Sequence, residues 1–310
     1  MIHSAETRGR LYRYCLLLLI ALIWGSQFLL NQLALQVFTA EAVSWMRAAI
    51  GFLVLSVFLR LTSAVSRVKL SDFNYWRHII LVGCFEATLP FFLVAWGQQH
   101  VDSSIAAILM SLVAIFTLIL VVIFVRDEQV TSGKLVGIML GFLGVFVLLW
   151  PQFSSSGDRG SAMGSIAILG AALSFAISLV LIRSLPKTGS SVQTARDILL
   201  CGTVELGAVL LLMRQPLIHH SLQINPLLAL IAQGVFAGGI VYVLYVQLVN
   251  IAGATFAGFA NYLVPVIGVF LGVIFMKERL PSSAYFAIAI LSLAIFACEW
   301  TPTQLKRNHS

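Results

Sequence analysis

Few side chains in this chain could do chemistry, and the sharpest of them is a carboxylate. Glu86 lies near the middle of a long apolar run, with Gly83 three residues before it and Pro90 four residues after. Inside a bilayer such a group must be protonated, paired or open to an aqueous cavity, and each state suits it to carry a proton or meet a substrate. A protonated acid bridging two helices is the structural alternative. Pro90 has no N–H to donate, so it predicts a kink and a freed carbonyl at Glu86. Glu205, near the middle of a later run, is a second proton site. Arg47 lies roughly two turns inside its own run, a depth that costs several kcal/mol unless the charge is paired, snorkels or meets water. Arg196 is its counterpart near the start of a later run. The two arginines fit a pair of gates near opposite faces, or Arg196 an ion pair with a neighbouring acid.

Polar and aromatic groups accompany these charges. Trp24, Gln27 and Asn31 stand at i, i+3 and i+7 on one helical face, which must look into a bundle or a wet cavity. Gln27, Tyr242, Asn261 and Tyr262 can orient a small molecule by hydrogen bonds, and Trp24 offers an apolar, cation-attracting wall. Helix-to-helix hydrogen bonding is an equal reading for the first stripe. Pro265 joins Pro90 as a hinge position, and Ser174 and Ser178 form a thinner polar stripe farther along.

Other chemistries lack their parts. Cys15, Cys84, Cys201 and Cys298 sit in four different apolar runs without CxxC spacing or histidine companions, so they read as small core residues and no metal is expected. There is no GxxxxGK[ST] loop for a nucleotide, and no cofactor is expected. An intramembrane enzyme would need a catalytic set within the spans. His78, His100, His219 and His220 fall at run edges or in loops, and Asp197 is the one aspartate inside a run. The chain therefore does not read as an enzyme.

The elements that position these residues are membrane helices. A hydrophobic fraction of 60%, a mean hydropathy of +0.98 and 10% charged residues exclude a soluble domain, which carries about 25% charge. Ten runs of about 20 apolar residues are long enough to span a bilayer as helices, at approximately 11–32, 41–61, 76–99, 103–125, 133–151, 160–184, 194–214, 226–250, 253–276 and 282–300. The net charge of +7 suggests nucleic acid, but its placement does not. With the N-terminus inside, most of the 19 cations, from Arg8 to Arg307, are cytoplasmic, and Arg159, Arg214, Lys277 and Arg279 are left outside. Both termini are expected in the cytoplasm. The first run carries Trp24, Gln27 and Asn31 and lacks a cleavage pattern, so it is read as a span, not a removable signal.

The runs repeat. A shift of roughly 150 residues lays Glu128 on Glu278, Ala107 on Ala257 and Trp150 on Trp300, and internal repeats of this kind typify membrane transporters. The first unit is read as residues 1–151, the linker as 152–159 and the second unit as 160–310. Five helices per unit, an odd number, insert the copies in opposite orientation. Gly133, Gly137 and Gly141, four apart, make a close-packing face for a neighbouring helix or for a second subunit in a homodimer. The stretch from Gly253 to Leu280 reads as one helix ending at Glu278, whose place at the interface favours a capping or topological role over transport chemistry.

Together, Trp24-Gly25-Ser26, Arg47, the helix ends with Glu128 and Glu278, and Tyr262-Leu263-Val264-Pro265 resemble the drug/metabolite transporter superfamily with its EamA-like repeats. The resemblance covers roughly residues 11 to 300. It implies an all-α integral membrane protein of ten transmembrane helices, built as two inverted five-helix repeats. It further implies export of amino acids, amines, drugs or other small metabolites across the inner membrane, with helices one, three, four, six, eight and nine around the cavity and five and ten peripheral. One position departs: Ile115 stands where the proline matching Pro265 is expected, so helix four is expected to be straighter than helix nine. The reading is a secondary transporter working by alternating access, with Glu86 carrying a proton or pairing with a cationic substrate group. A passive facilitator shares these features.

Overall fold

The computed structural model describes residues 2–62, 72–124, 132–154, 159–185, 190–214 and 216–299. Glu128 lies outside the described residues, and so does the side chain of Tyr262. Helical segments fill nearly all of what is described, in chain order α1 (Ile2–Ala34), α2 (Ala40–Leu61), α3 (Phe73–Gly97), α4 (Ser103–Phe124), α5 (Ser132–Ser154), α6 (Arg159–Arg183), α7 (Ser191–Met213), α8 (Ile224–Ala252), α9 (Ala254–Phe275) and α10 (Ser282–Glu299). No strand occurs among the described residues; a single bridge pairs Phe38 with Ile218. Six of the segments are long and apolar enough to cross a membrane: α1 from Leu11, α2, α3, α4, α6 from Gly160, and α8. Shorter apolar stretches lie in α5, α9 and α10, and α7 carries Arg196, Asp197 and Glu205. This is a multi-pass membrane protein.

Local chemistry marks the starts of the segments. The side chains of Thr39, Asp72 and Ser190 accept from the backbone N–H of Ala42, Tyr75 and Gln193 and cap α2, α3 and α7, where orphan donors need a partner. Two segments change register inside. The stretch Cys84–Thr88 of α3 and the stretch Gln233–Ile240 of α8 wind as π-helix, with Leu89 N–H reaching the Cys84 carbonyl and Val241 N–H reaching the Phe236 carbonyl. The wider winding in α3 moves the carbonyl that Pro90 leaves free from Glu86, where an α-helix would put it, to Phe85. Ser174 Oγ donates to that Phe85 carbonyl at 2.9 Å.

α4 is interrupted at Ser111, whose backbone N–H turns to Ile108 at 3.1 Å while its hydroxyl donates to the same carbonyl at 2.7 Å. α9 runs unbroken through Pro265. A hydroxyl competing for the backbone accounts for the break in the helix that lacks proline.

Packing follows an exchange of the two halves. α5 lies along α10, and α2 along α7. α1 against α9 is matched by α6 against α4, α2 against α8 by α7 against α3, and α3 against α6 by α8 against α1. The contacts also sort the helix ends onto two sides. On one side Gln247, near the end of α8, donates to Tyr12 near the start of α1 at 2.7 Å, and Tyr75 at the start of α3 donates to Asp197 at the start of α7 at 2.8 Å. On the other, Phe38 meets Ile218, and His100 stands beside Gly160 at the start of α6. α1 and α6 thus start on opposite sides, as inverted copies do.

Glycines set the closest crossings. A Cβ on Gly51 of α2 would lie 2.6 Å from the Gly238 carbonyl of α8, and a Cβ on Gly202 of α7 would lie 2.5 Å from Ala87 Cβ of α3. These are matched sites in the two halves, each facing a π stretch. A Cβ on Gly141 would lie 2.0 Å from Ile115 Cδ1, so this glycine of α5 packs on α4 of the same chain.

Candidate functional site

Where α1, α2, α3, α6 and α8 converge, the interior holds charge. Glu86, on the π stretch of α3, accepts a hydrogen bond from Ser178 Oγ of α6, and the Tyr242 hydroxyl of α8 stands beside the same carboxylate. Arg47 of α2 is 6% exposed. Its Nη2 donates to Gln27 Oε1 of α1 at 2.5 Å, and its guanidinium carbon lies 4.0 Å from the centroid of the Phe91 ring. A cation over an aromatic face is stabilised by the ring quadrupole, more so where water is excluded. Arg47 is within electrostatic reach of both Glu86 and Tyr242. A buried charge without such partners would cost several kcal/mol in hydrocarbon. The cluster therefore joins an acid and a cation from one half to hydroxyls from the other.

The sequence singled out Glu86, Arg47, Gln27 and Tyr242 separately, and the structure brings all four together. The remaining positions have other partners. Trp24 packs against Tyr245 with ring centroids 5.2 Å apart. Asn261 is exposed. Glu205 is half-buried and accepts from Thr88 Oγ1 at 2.5 Å, away from Glu86. Arg196 donates through Nε to Asp197 Oδ1 at 2.8 Å, the ion-pair alternative; Asp197 is 1% exposed and also accepts from Tyr75. Pro90 is buried just after the π stretch, and Pro265 is half-buried within α9.

Sequence reasoning missed Phe91, and it missed a ladder of amides on the side where α1 and α3 end. Gln233 Nε2 of α8 donates to Asn31 Oδ1 at 3.1 Å, Asn31 Nδ2 donates to Gln98 Oε1 at 2.9 Å, and Gln98 Nε2 donates to the Phe28 carbonyl at 2.9 Å. Gln98 and Gln233 are fully buried and Asn31 is 2% exposed. A cleft of about 260 Å³ opens beside the ladder, lined by Gln32, Leu35, Gln36, Gln98 and Gln99. The signal was present: a glutamine within or at the end of an apolar run needs a partner as surely as a charge does. Among the described residues no group of three or more His, Cys, Asp or Glu side chains is placed to hold a metal.

Comparison with known proteins agrees with this architecture. A family model described as the EamA-like transporter family matches residues 11–150 and again residues 162–298. An uncharacterized transporter of Archaeoglobus fulgidus is 28% identical over 161 residues, 52% of this chain and 55% of that protein. A WAT1-related chloroplastic protein of Arabidopsis thaliana is 24% identical over 228 residues, 72% of this chain and 54% of that one. Those two matches span about half the length of the relatives concerned. The uncharacterized transporter YoaV of Bacillus subtilis is 22% identical, over 93% of this chain and 96% of that protein. A crystal structure of a protein 16% identical in sequence superposes with a TM-score of 0.62, covering 93% of this chain and 96% of that one, a likeness of fold.

Proposed function

The chain belongs to the EamA-like transporter family, and from that premise we propose that it is a secondary transporter that exports small metabolites across the inner membrane by alternating access, with both termini in the cytoplasm. Amino acids, amines and drug-like compounds are the substrate classes in view. The observation that carries this reading is the contact of Glu86, in the first half, with Ser178 and Tyr242 in the second. Inverted repeats work by rocking one bundle against the other about a fixed midplane site, so groups shared across the halves change partners at every turnover. A carboxylate held by hydroxyls of the opposite half can then exchange its proton as the halves part, which couples a proton gradient to transport. The excess of cations on one side of the membrane supports the orientation.

The test is flux. Purified protein in proteoliposomes, given a pH gradient and a panel of labelled amino acids and amines, is expected to accumulate at least one compound against its gradient. Equilibration without accumulation would assign passive facilitation. Glu86→Gln keeps an acceptor for Ser178 and removes the titrating group, so its flux is expected to lose pH dependence while the protein stays folded. Wild-type pH dependence in that variant would remove Glu86 from the coupling role.

A further inference from the structure

We propose that the ionic anchor for the substrate is Arg47, not Glu86, and that the transported compound carries a carboxylate that docks on the unpaired edge of the Arg47 guanidinium. This rests on the transporter reading above and names the chemistry of its cargo. The two ions of the midplane cluster differ in what they leave unmet. Glu86 is already supplied with a donor from inside the protein, the Ser178 hydroxyl, and has the Tyr242 hydroxyl beside it. An incoming ammonium would have to displace the Ser178 hydroxyl, and would do so beside a fixed cation.

Arg47 is in the opposite condition. It spends one Nη2 proton on Gln27, and its Nε–H is buried without a hydrogen-bond partner. A buried donor on a charged group is costly to leave unmade. Phe91 covers one face of the guanidinium at 4.0 Å, so further partners must approach in the plane of the group, along its edges. Nη2 carries two protons, and Gln27 takes one. A carboxylate accepting side-on from Nε–H and Nη2 would supply the partner that Nε–H lacks. Gly238 keeps α8 close to the Arg47 stem: a Cβ there would lie 3.0 Å from the Arg47 carbonyl and 3.8 Å from its Cγ, which helps hold that edge in one place. Lysine, a point charge on a flexible stem, would keep the attraction and lose the two-point match.

The experiment uses the full chain, purified in detergent, and three matched probe sets: butyrate, 3-phenylpropionate and indole-3-acetate, each alongside its amide and its amine analogue. Binding is read as the shift of the thermal unfolding midpoint during titration. Carboxylates are expected to raise the midpoint where amides and amines do not. Arg47→Gln is expected to bind them roughly tenfold or more weakly, the loss of a charge-assisted pairing. Arg47→Lys is expected to retain a reduced response, and its unliganded midpoint controls for folding. Stabilisation by amines in place of carboxylates, equal carboxylate responses in wild type and Arg47→Gln, or no carboxylate response in wild type would each overturn the proposal. Flux separates the two readings. Carboxylate binding without transport sinks the transporter reading and leaves the anchor, whereas Glu86-dependent amine flux without carboxylate binding does the reverse.

Discussion

Glu278 closes over the first turn of α4, where its Oε1 accepts both the backbone N–H of Ser103 at 2.9 Å and the Ser103 hydroxyl at 2.6 Å. Its Oε2 does the same for Ser104, accepting the backbone N–H at 3.0 Å and the hydroxyl as well. One carboxylate from the end of α9 thus caps a helix of the other half, with its charge at the positive end of the helix dipole. Glu278→Ala leaves two backbone donors and two hydroxyls without their acceptor and is expected to cost about 1–2 kcal/mol. Glu278→Gln, which keeps one acceptor oxygen, is expected to fall between. Thermal unfolding of the three proteins in detergent checks the order, and equal midpoints would show that the tie contributes nothing.

Asp102 occupies the N-cap position of α4, yet its side chain makes no capping hydrogen bond. Partial burial, and then the negative charge of Glu278, push its carboxyl above the ordinary carboxylate range. The folded protein therefore holds this proton more tightly than the unfolded chain. The stability it contributes is present at acid pH and lost as pH rises through the folded value. Asp102→Asn is expected to be more stable than wild type at neutral pH, with the difference closing as pH falls below the carboxylate range. A difference independent of pH would assign the effect to something other than titration.

The capping role of Glu278 was legible because a charge at the end of an apolar helix has few other uses. Glu86 and Arg47 were legible for the same reason, as ions where ions are costly. Their meeting was not legible, because it depends on how α2, α3, α6 and α8 converge, and no spacing along the chain encodes that. Phe91 and Ser178 sit in apolar runs where a phenylalanine or a serine is usually packing, so nothing in the pattern separated them from their neighbours. The π stretches were hidden too, since one extra residue in the hydrogen-bonded loop leaves a uniformly apolar run looking unchanged. Pro90 pointed to the right segment, and only the winding decided that Phe85 would carry the freed carbonyl. The break in α4 at Ser111, whose hydroxyl competes for the backbone, was not signalled by the absence of proline there.

Gly51 and Gly202 are the matched glycines at the two tightest crossings with the π stretches. A methyl group on either would stand within 2.6 Å of backbone or Cβ atoms that cannot rotate away. Gly51→Ala and Gly202→Ala are each expected to destabilise the protein by about 1–3 kcal/mol through overpacking. Gly160→Ala serves as the control, since its Cβ would have only the His100 ring nearby, at 3.6 Å. Comparable midpoints for all three variants would mean that the helices separate at no cost.

Asn31 stands in the middle of the amide ladder, accepting from Gln233 and donating to Gln98. Asn31→Leu removes both partners at once and leaves an orphaned donor on Gln233 and an orphaned acceptor on Gln98, each fully buried. The expected cost is about 1–3 kcal/mol for each orphaned group. Replacing all three by leucine removes the orphans together with the ladder, and a polar network deleted whole costs far less than one left half satisfied. The triple variant is therefore expected to unfold at a higher temperature than Asn31→Leu alone, although it carries three substitutions in place of one. Strictly additive losses would mean that the amides find water in the interior, and the ladder would then be a wet surface lining the cleft at Gln32 and Gln36, not a sealed seam between the halves.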